Sequence, residues 1–234
     1  MTAPSTPGPP AVLVFDVNET LLDFDAMAPL FRRIFGDGRV LRDWMSQLFM
    51  YSMTMTLSGR YVDYFTLGER LLQMLADIHG VTVTARDLRA VRDGMLTLPA
   101  YPDATDGLAM LRDNGFRLVT LTNSPPNPDG PTALEHAGLG QFFEQKFSVD
   151  AGRVYKPAAR VYRHVADRLG VPTSACMMVA AHVWDIMGAQ GVGFSSALIT
   201  RPGNAPLRVE GLPQPTLVAS DLCVLARRLG TARA

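Results

Sequence analysis

The chain has 234 residues, 47% of them hydrophobic, and its 22 basic and 22 acidic side chains leave the formal charge at zero. That is enough apolar material for one large domain or two modest ones, and the balanced charge supplies no field for nucleic acid or an anionic membrane. No apolar run reaches the ~20 residues of a membrane-spanning helix. Cys176 and Cys223 are far apart and lack metal-ligand spacing, so they read as buried free thiols of a soluble protein in a reducing cytoplasm.

Residues 1–10 hold neither a basic cluster nor an apolar stretch, which excludes a secretory signal there, and their Pro, Ser, Thr and Gly content reads as a disordered lead-in. Ala11 to Phe15 is then a continuous apolar run rich in valine, the pattern of a strand buried on both faces in a parallel sheet. Asp16 ends it, at the edge where open α/β sheets gather their chemistry. Taken alone, Asp16 also suits a simple turn or cap.

From residue 24 to 97 strand patterns give way to helical ones. Leu30, Phe31, Ile34 and Phe35 recur at helical spacing, as do Trp44, Leu48 and Phe49, and then Leu67, Leu71, Leu72 and Leu75. Gly36-Asp37-Gly38, Ser58-Gly59 and His79-Gly80 cut this stretch into helices of ordinary length. The expectation is an all-helical cap of four or five helices over 24–97. Its Met-rich segment, Met45 to Met55, reads as core packing rather than a cofactor box.

Pro99 to Pro102 is the return linker, after which helix and strand patterns alternate. Helices are expected over 108–114, 133–137 and 159–169 and from Ile186 to Gln190; strands over 116–121, 147–149, 176–181 and 196–200. Such alternation means βα units, a parallel sheet and helices on both faces. The fold class is therefore α/β, a doubly wound parallel sheet built from 11–23 and 98–234, with the helical cap inserted after its first strand. Polar residues fall at several strand ends: Asp16, then Thr122-Asn123, Lys156 nearby, and His182 with Asp185. Parallel strands would bring all of them to one edge.

Four stretches in that order, Phe15-Asp16-x-x-x-Thr20-Leu21, Leu121-Thr122-Asn123, Val154-Tyr155-Lys156-Pro157 and Trp184-Asp185 followed by Gly188-Ala189, resemble the haloacid dehalogenase superfamily. Within it the chain looks like a type II 2-haloacid dehalogenase from Val12 to its last helix, and Arg201-Pro202-Gly203-Asn204 agrees. The resemblance implies a Rossmann-like core and hydrolysis of short 2-haloalkanoic acids without metal or other cofactor. The only partner it implies besides the haloacid is a second copy of the chain, in a homodimer.

The residues suit that chemistry. Asp16 is the nucleophile, and Lys156, unless it is merely a surface lysine, is its counter-charge. Thr20, at an expected helix start, steadies the carboxylate, while Asp185 and Lys156 position each other. Thr122 and the backbone N–H groups of Val17 and Asn18 face the substrate carboxylate. Trp184, Phe49 and Asn123 are candidates for the halide pocket, although Asn123 fits a turn equally well. Met45, Leu48 and Tyr51 are candidates for the apolar wall.

Three departures from the family pattern matter. Asn18 stands where the Mg²⁺-dependent phosphatases of the superfamily carry a second aspartate as general acid. Loss of that acid favours dehalogenation, since halide leaves without a proton, over the alternative of a phosphatase acting on a small ester. Met45 stands where many relatives place a halide-binding arginine, so Arg42, one turn earlier, either takes the role or the role is lost; its loss would suit a non-catalytic protein that binds a small acid. Finally, Ala180-Ala181-His182 replaces a Ser and Asn. An imidazole there is the natural general base, with Glu19 as its orienting partner, an arrangement similar to that of a His/Glu subgroup of these enzymes.

Overall fold

The computed structural model describes residues 10–231, so the lead-in lies outside them apart from Pro10, which is buried. Six parallel strands form one sheet: β1 (Val12–Phe15), β2 (Arg117–Thr122), β3 (Gln145–Ser148), β4 (Cys176–Ala180), β5 (Ser195–Ile199) and β6 (Leu217–Ala219), in the order β3-β2-β1-β4-β5-β6. Every residue of β1 has zero exposure, as its unbroken apolar run requires. The strand order reverses at β1, which opens a crevice beyond its carboxyl end. Phe15 pairs with Thr120 on one side and Val179 on the other. This register places Asp16 between the ends of β2 and β4.

After β1, and before the return linker at Pro99, the chain forms a short 3-10 turn, Phe24–Met27, and four helices: α1 (Ala28–Phe35), α2 (Val40–Leu57), α3 (Tyr64–His79) and α4 (Ala85–Leu96). Asp63 caps α3 by accepting from the N–H groups of Phe65 and Thr66, and Thr84 with Asp87 forms a capping box on α4. On α3, Gly68 lets the Trp44 ring of α2 come within 2.9 Å of where a Cβ would sit, and Trp44 donates its indole N–H to the Gly68 carbonyl at 2.9 Å. Of the methionines in α2, Met45 is buried but Met50 is 48% exposed, so core packing accounts for only part of the Met-rich segment.

The return segment carries α5 (Ala104–Asp113), α6 (Ala133–His136), α7 (Ala159–Leu169), α8 (Val183–Gln190) and α9 (Leu222–Thr231). Helix α5 starts four residues before its apolar periodicity, because Ala104 and Gly107 pack closely and Gly107 lies against Leu222 of α9. Helix α8 begins at Val183, with His182 just before it, rather than at Ile186. Strand β3 starts earlier than its apolar residues, and its exposed Gln145 and Lys146 mark a sheet edge. Cys176 is buried as read, whereas Cys223 is only half-buried, with its thiol beside the Asp103 carbonyl. Among the described residues no helix is long and apolar enough to cross a membrane.

Candidate active site

Asp16 leaves β1 with its backbone N–H donating to the Val179 carbonyl at 3.0 Å, one rung beyond the strand. The next six residues form a tight loop, not the helix start expected at Thr20. Leu21 and Leu22 both donate to the Val17 carbonyl, and Glu19 donates back to Leu22 at 2.9 Å. Glu19 turns with φ 59°, a left-handed conformation that costs a non-glycine residue ~1–2 kcal/mol. The Thr20 hydroxyl donates to Asp16 Oδ2 at 2.7 Å and accepts from the Ala181 N–H at 2.9 Å, tying the loop to the end of β4.

Lys156 is no surface lysine, because its side chain has zero exposure. Its Nζ donates to Asp16 Oδ1 at 2.8 Å, to Asp185 Oδ2 at 2.6 Å and to the Leu121 carbonyl at 3.0 Å, so all three protons are used. The other oxygen of Asp185 accepts from the Tyr162 hydroxyl at 2.5 Å. Burial pushes the Asp16 carboxyl up, but the Lys156 charge and the His182 hydrogen bond outweigh it and hold the acid below its ordinary range. Burial likewise pulls the Lys156 ammonium down, and the two carboxylates more than restore it. The result is an ionised carboxylate in a dry site.

On the other side of Asp16 stands His182. Its Nδ1 is 3.3 Å from Asp16 Oδ2 and its Nε2 2.8 Å from Glu19 Oε2. Trp184 stacks on the imidazole at 5.1 Å and Phe49 of α2 meets it edge-on at 4.9 Å. Burial disfavours the imidazolium, yet hydrogen bonds to Asp16 and Glu19 prevail and raise its pKa to about 9. In the free protein near neutrality the ring is therefore charged and donates to both carboxylates.

The other sequence candidates divide. Asn123 accepts from the Lys156 N–H at 3.2 Å, fixing the lysine's loop, and the Thr122 hydroxyl accepts from the Ser124 N–H at 3.1 Å in a turn. Asn18 donates its amide to Ser124 Oγ at 3.3 Å, and with Val17 and Thr122 it walls a cavity of about 130 Å³. Met45 and Leu48 are buried on α2, while Phe49 and Tyr51 are half-buried, and Phe49 packs against His182 and Trp184. Arg42 is engaged by two carboxylates. It binds Glu19 Oε1, and Asp25 Oδ1 at 2.7 Å.

Tyr162 and Arg201 were not singled out for any role by the sequence. Tyr162 lies within the helix expected over 159–169. Arg201 donates to the Thr20 carbonyl through Nε and Nη2 (3.1 and 2.9 Å) and to both oxygens of Asp103 (2.6 and 3.0 Å), bracing the loop after Asp16. Gly188 has a steric reason to be there: a Cβ would sit 2.6 Å from Pro157 Cβ and 2.7 Å from the Tyr162 hydroxyl. Gly188→Ala is therefore expected to lower the unfolding free energy by ~1–3 kcal/mol and to slow the reaction by displacing Tyr162 from Asp185. A thermal melt beside a rate measurement checks both.

The haloacid dehalogenase-like hydrolase family matches residues 10–193 of the chain. Over 203 residues the chain is 34% identical to (S)-2-haloacid dehalogenase 1 of Pseudomonas sp. strain CBS-3, spanning 86% of this chain and 88% of that enzyme. It is 32% identical over 195 residues to the (S)-2-haloacid dehalogenase of Pseudomonas sp. strain YL, spanning 82% and 83%. Among solved structures, the L-2-haloacid dehalogenase of Xanthobacter autotrophicus with chloropropionic acid covalently bound superposes with a TM-score of 0.84 at 26% identity, over 93% of this chain and 97% of that one. Matched along most of its length in both sequence and fold, the chain belongs to the haloacid dehalogenase-like hydrolases and stands with their 2-haloacid dehalogenases.

Proposed function

We propose that the protein hydrolyses short 2-haloalkanoic acids to 2-hydroxy acids through an ester on Asp16. The observation that carries this reading is one buried carboxylate held at Oδ1 by Lys156 and at Oδ2 by Thr20 and by His182, which is backed by Glu19. In the first step an Asp16 oxygen attacks C2 opposite the halogen. The C–O bond forms as the carbon–halogen pair departs with the halide, and C2 inverts. In the second, His182 takes a proton from water as its oxygen adds to the Asp16 carbonyl carbon. Collapse expels the hydroxy-acid oxygen, which is protonated by His182.

The Phe49 and Trp184 ring edges, with Asn123, form the halide side. Thr122 and the N–H groups of Val17 and Asn18 face the substrate carboxylate. The covalent chloropropionate in the Xanthobacter relative is an adduct of the kind the first step makes. A phosphatase reading fits the residues less well. Asn18 offers an amide where a general acid is needed, and both oxygens of Asp185 are occupied by Lys156 and Tyr162.

Incubation with chloroacetate or 2-chloropropionate in EDTA should release free halide, and Asp16→Asn should release none. Should the wild-type protein release no halide from either acid, this reading is wrong.

A further inference from the structure

Glu19 is gripped from two parts of the chain. Oxygen Oε2 meets His182 Nε2 at 2.8 Å, while Oε1 is paired with Arg42, which reaches down from α2 and also holds Asp25. The Arg42 guanidinium lies alongside Gly203, 3.9 Å from where a Cβ would be. We propose that Arg42 is a positioning residue for ester hydrolysis: from the helical insertion it fixes the Glu19 carboxylate in its left-handed turn, and through Glu19 it sets which His182 nitrogen faces the Asp16 ester.

The geometry gives Arg42 two effects. A carboxylate with one oxygen held by a guanidinium cannot rotate freely, so its second oxygen stays aimed at Nε2, leaving Nδ1 as the nitrogen toward Asp16. That orientation matters because only Nδ1 can serve the ester. Arg42 also compensates the Glu19 charge. A bare Glu19 would hold the imidazolium proton more tightly, and a base must first give that proton up. The other charged and titratable groups around His182 are Asp16, with Lys156 and Asp185 behind it, and the buried phenol of Tyr64 near both Asp16 and Glu19. Behind Glu19 stand Asp25 and, beyond the Tyr101 ring, Arg201. Oε1 of Glu19 is held by Arg42. Because Arg42 rides on α2 and Glu19 on the nucleophile loop, the base pair is complete only while α2 is seated there.

The assignment rests on the Asp16 ester, and the test separates the two. Arg42→Ala, Arg42→Lys and wild-type enzyme are each mixed with excess 2-chloropropionate, following halide release within the first turnover, the Asp16 adduct by mass, and steady-state rate against pH. Arg42→Ala should release its first halide per site at close to the wild-type rate and then accumulate adduct. Its ester-hydrolysis limb should move about one pH unit alkaline, the size of shift one nearby charge confers, and so run about tenfold slower on the acid side of the limb. Arg42→Lys should recover much of the rate by restoring the charge. If Arg42→Ala hydrolyses its ester with the wild-type limb, or if both steps slow equally, Arg42 is a structural cap residue and the assignment falls. A wild-type enzyme that forms no adduct at all would bring down the ester itself.

Discussion

His182→Ala is expected to stop the enzyme after its first chemical step, releasing about one halide per site and leaving the peptide that contains Asp16 heavier by the carboxyalkyl group. The nucleophile does not depend on the imidazole alone, since Lys156 and Thr20 still hold Asp16 ionised at 2.8 and 2.7 Å. What disappears is the group that prepares water, and removing a general base costs about 10²–10⁴-fold. The adduct should therefore persist long enough to isolate. Normal turnover by the variant would show that another group activates the water.

The protonation of His182 adds a second reading of the same experiment. In the free enzyme its pKa of about 9 is sustained against burial by the anionic Asp16 and by Glu19. Alkylation neutralises Asp16, so one of the two supports is lost and the pKa must fall. Between the fallen and the original value, the ring loses its Nδ1 proton when the ester forms and becomes a base only then. The single proton of the overall reaction should thus appear in solution with the halide, before hydroxy acid, in a single turnover at about pH 8. In His182→Ala halide should appear without that early proton. Hydrolysis should be fastest above the lowered pKa and fall as pH drops through it.

The core of this site was legible because strand ends carry their residues on a short tether. Asp16, Lys156 and His182 each stand directly after an apolar run or in the loop that follows, and Asp185 in the first turn of the helix after β4; a parallel sheet leaves such residues one edge to share. Long-range partners were not legible in the same way. Arg42 lay on a helix whose periodicity said only which face was apolar, so a role beside the halide was as consistent with it as its true contact with Glu19. Tyr162 sat at a core position of α7, and nothing in its spacing shows that its hydroxyl finds Asp185. Thr20 was placed on a helix that is in fact a loop, because the left-handed turn at Glu19 carries no glycine to announce it. Strand β6, three residues at the sheet edge, is too short to give a pattern.

Lys156→Met is expected to reduce halide release by at least about 100-fold, ~2.7 kcal/mol or more of transition-state stabilisation, and to destabilise the fold by ~3–5 kcal/mol. The side chain is fully buried and its three donors are spent on Asp16, Asp185 and the Leu121 carbonyl. Methionine fills the same space without charge, leaving two carboxylates in one dry site with no cation between them. Burial already holds Asp185 above its ordinary range, and without Lys156 the balance that keeps Asp16 low tips the same way. A protonated Asp16 is no nucleophile, so the residual rate should climb with pH as the acid ionises, whereas the wild-type first step should be flat over that range. Measuring the halide burst from pH 5 to about pH 9 beside a urea melt separates the two losses: a slow burst that recovers at high pH is electrostatic, one that stays slow while the protein is folded is a misplaced nucleophile. A burst at the wild-type rate in a folded Lys156→Met protein would mean that Asp16 needs no counter-charge, and that the ionised nucleophile is sustained by Thr20 and His182 alone.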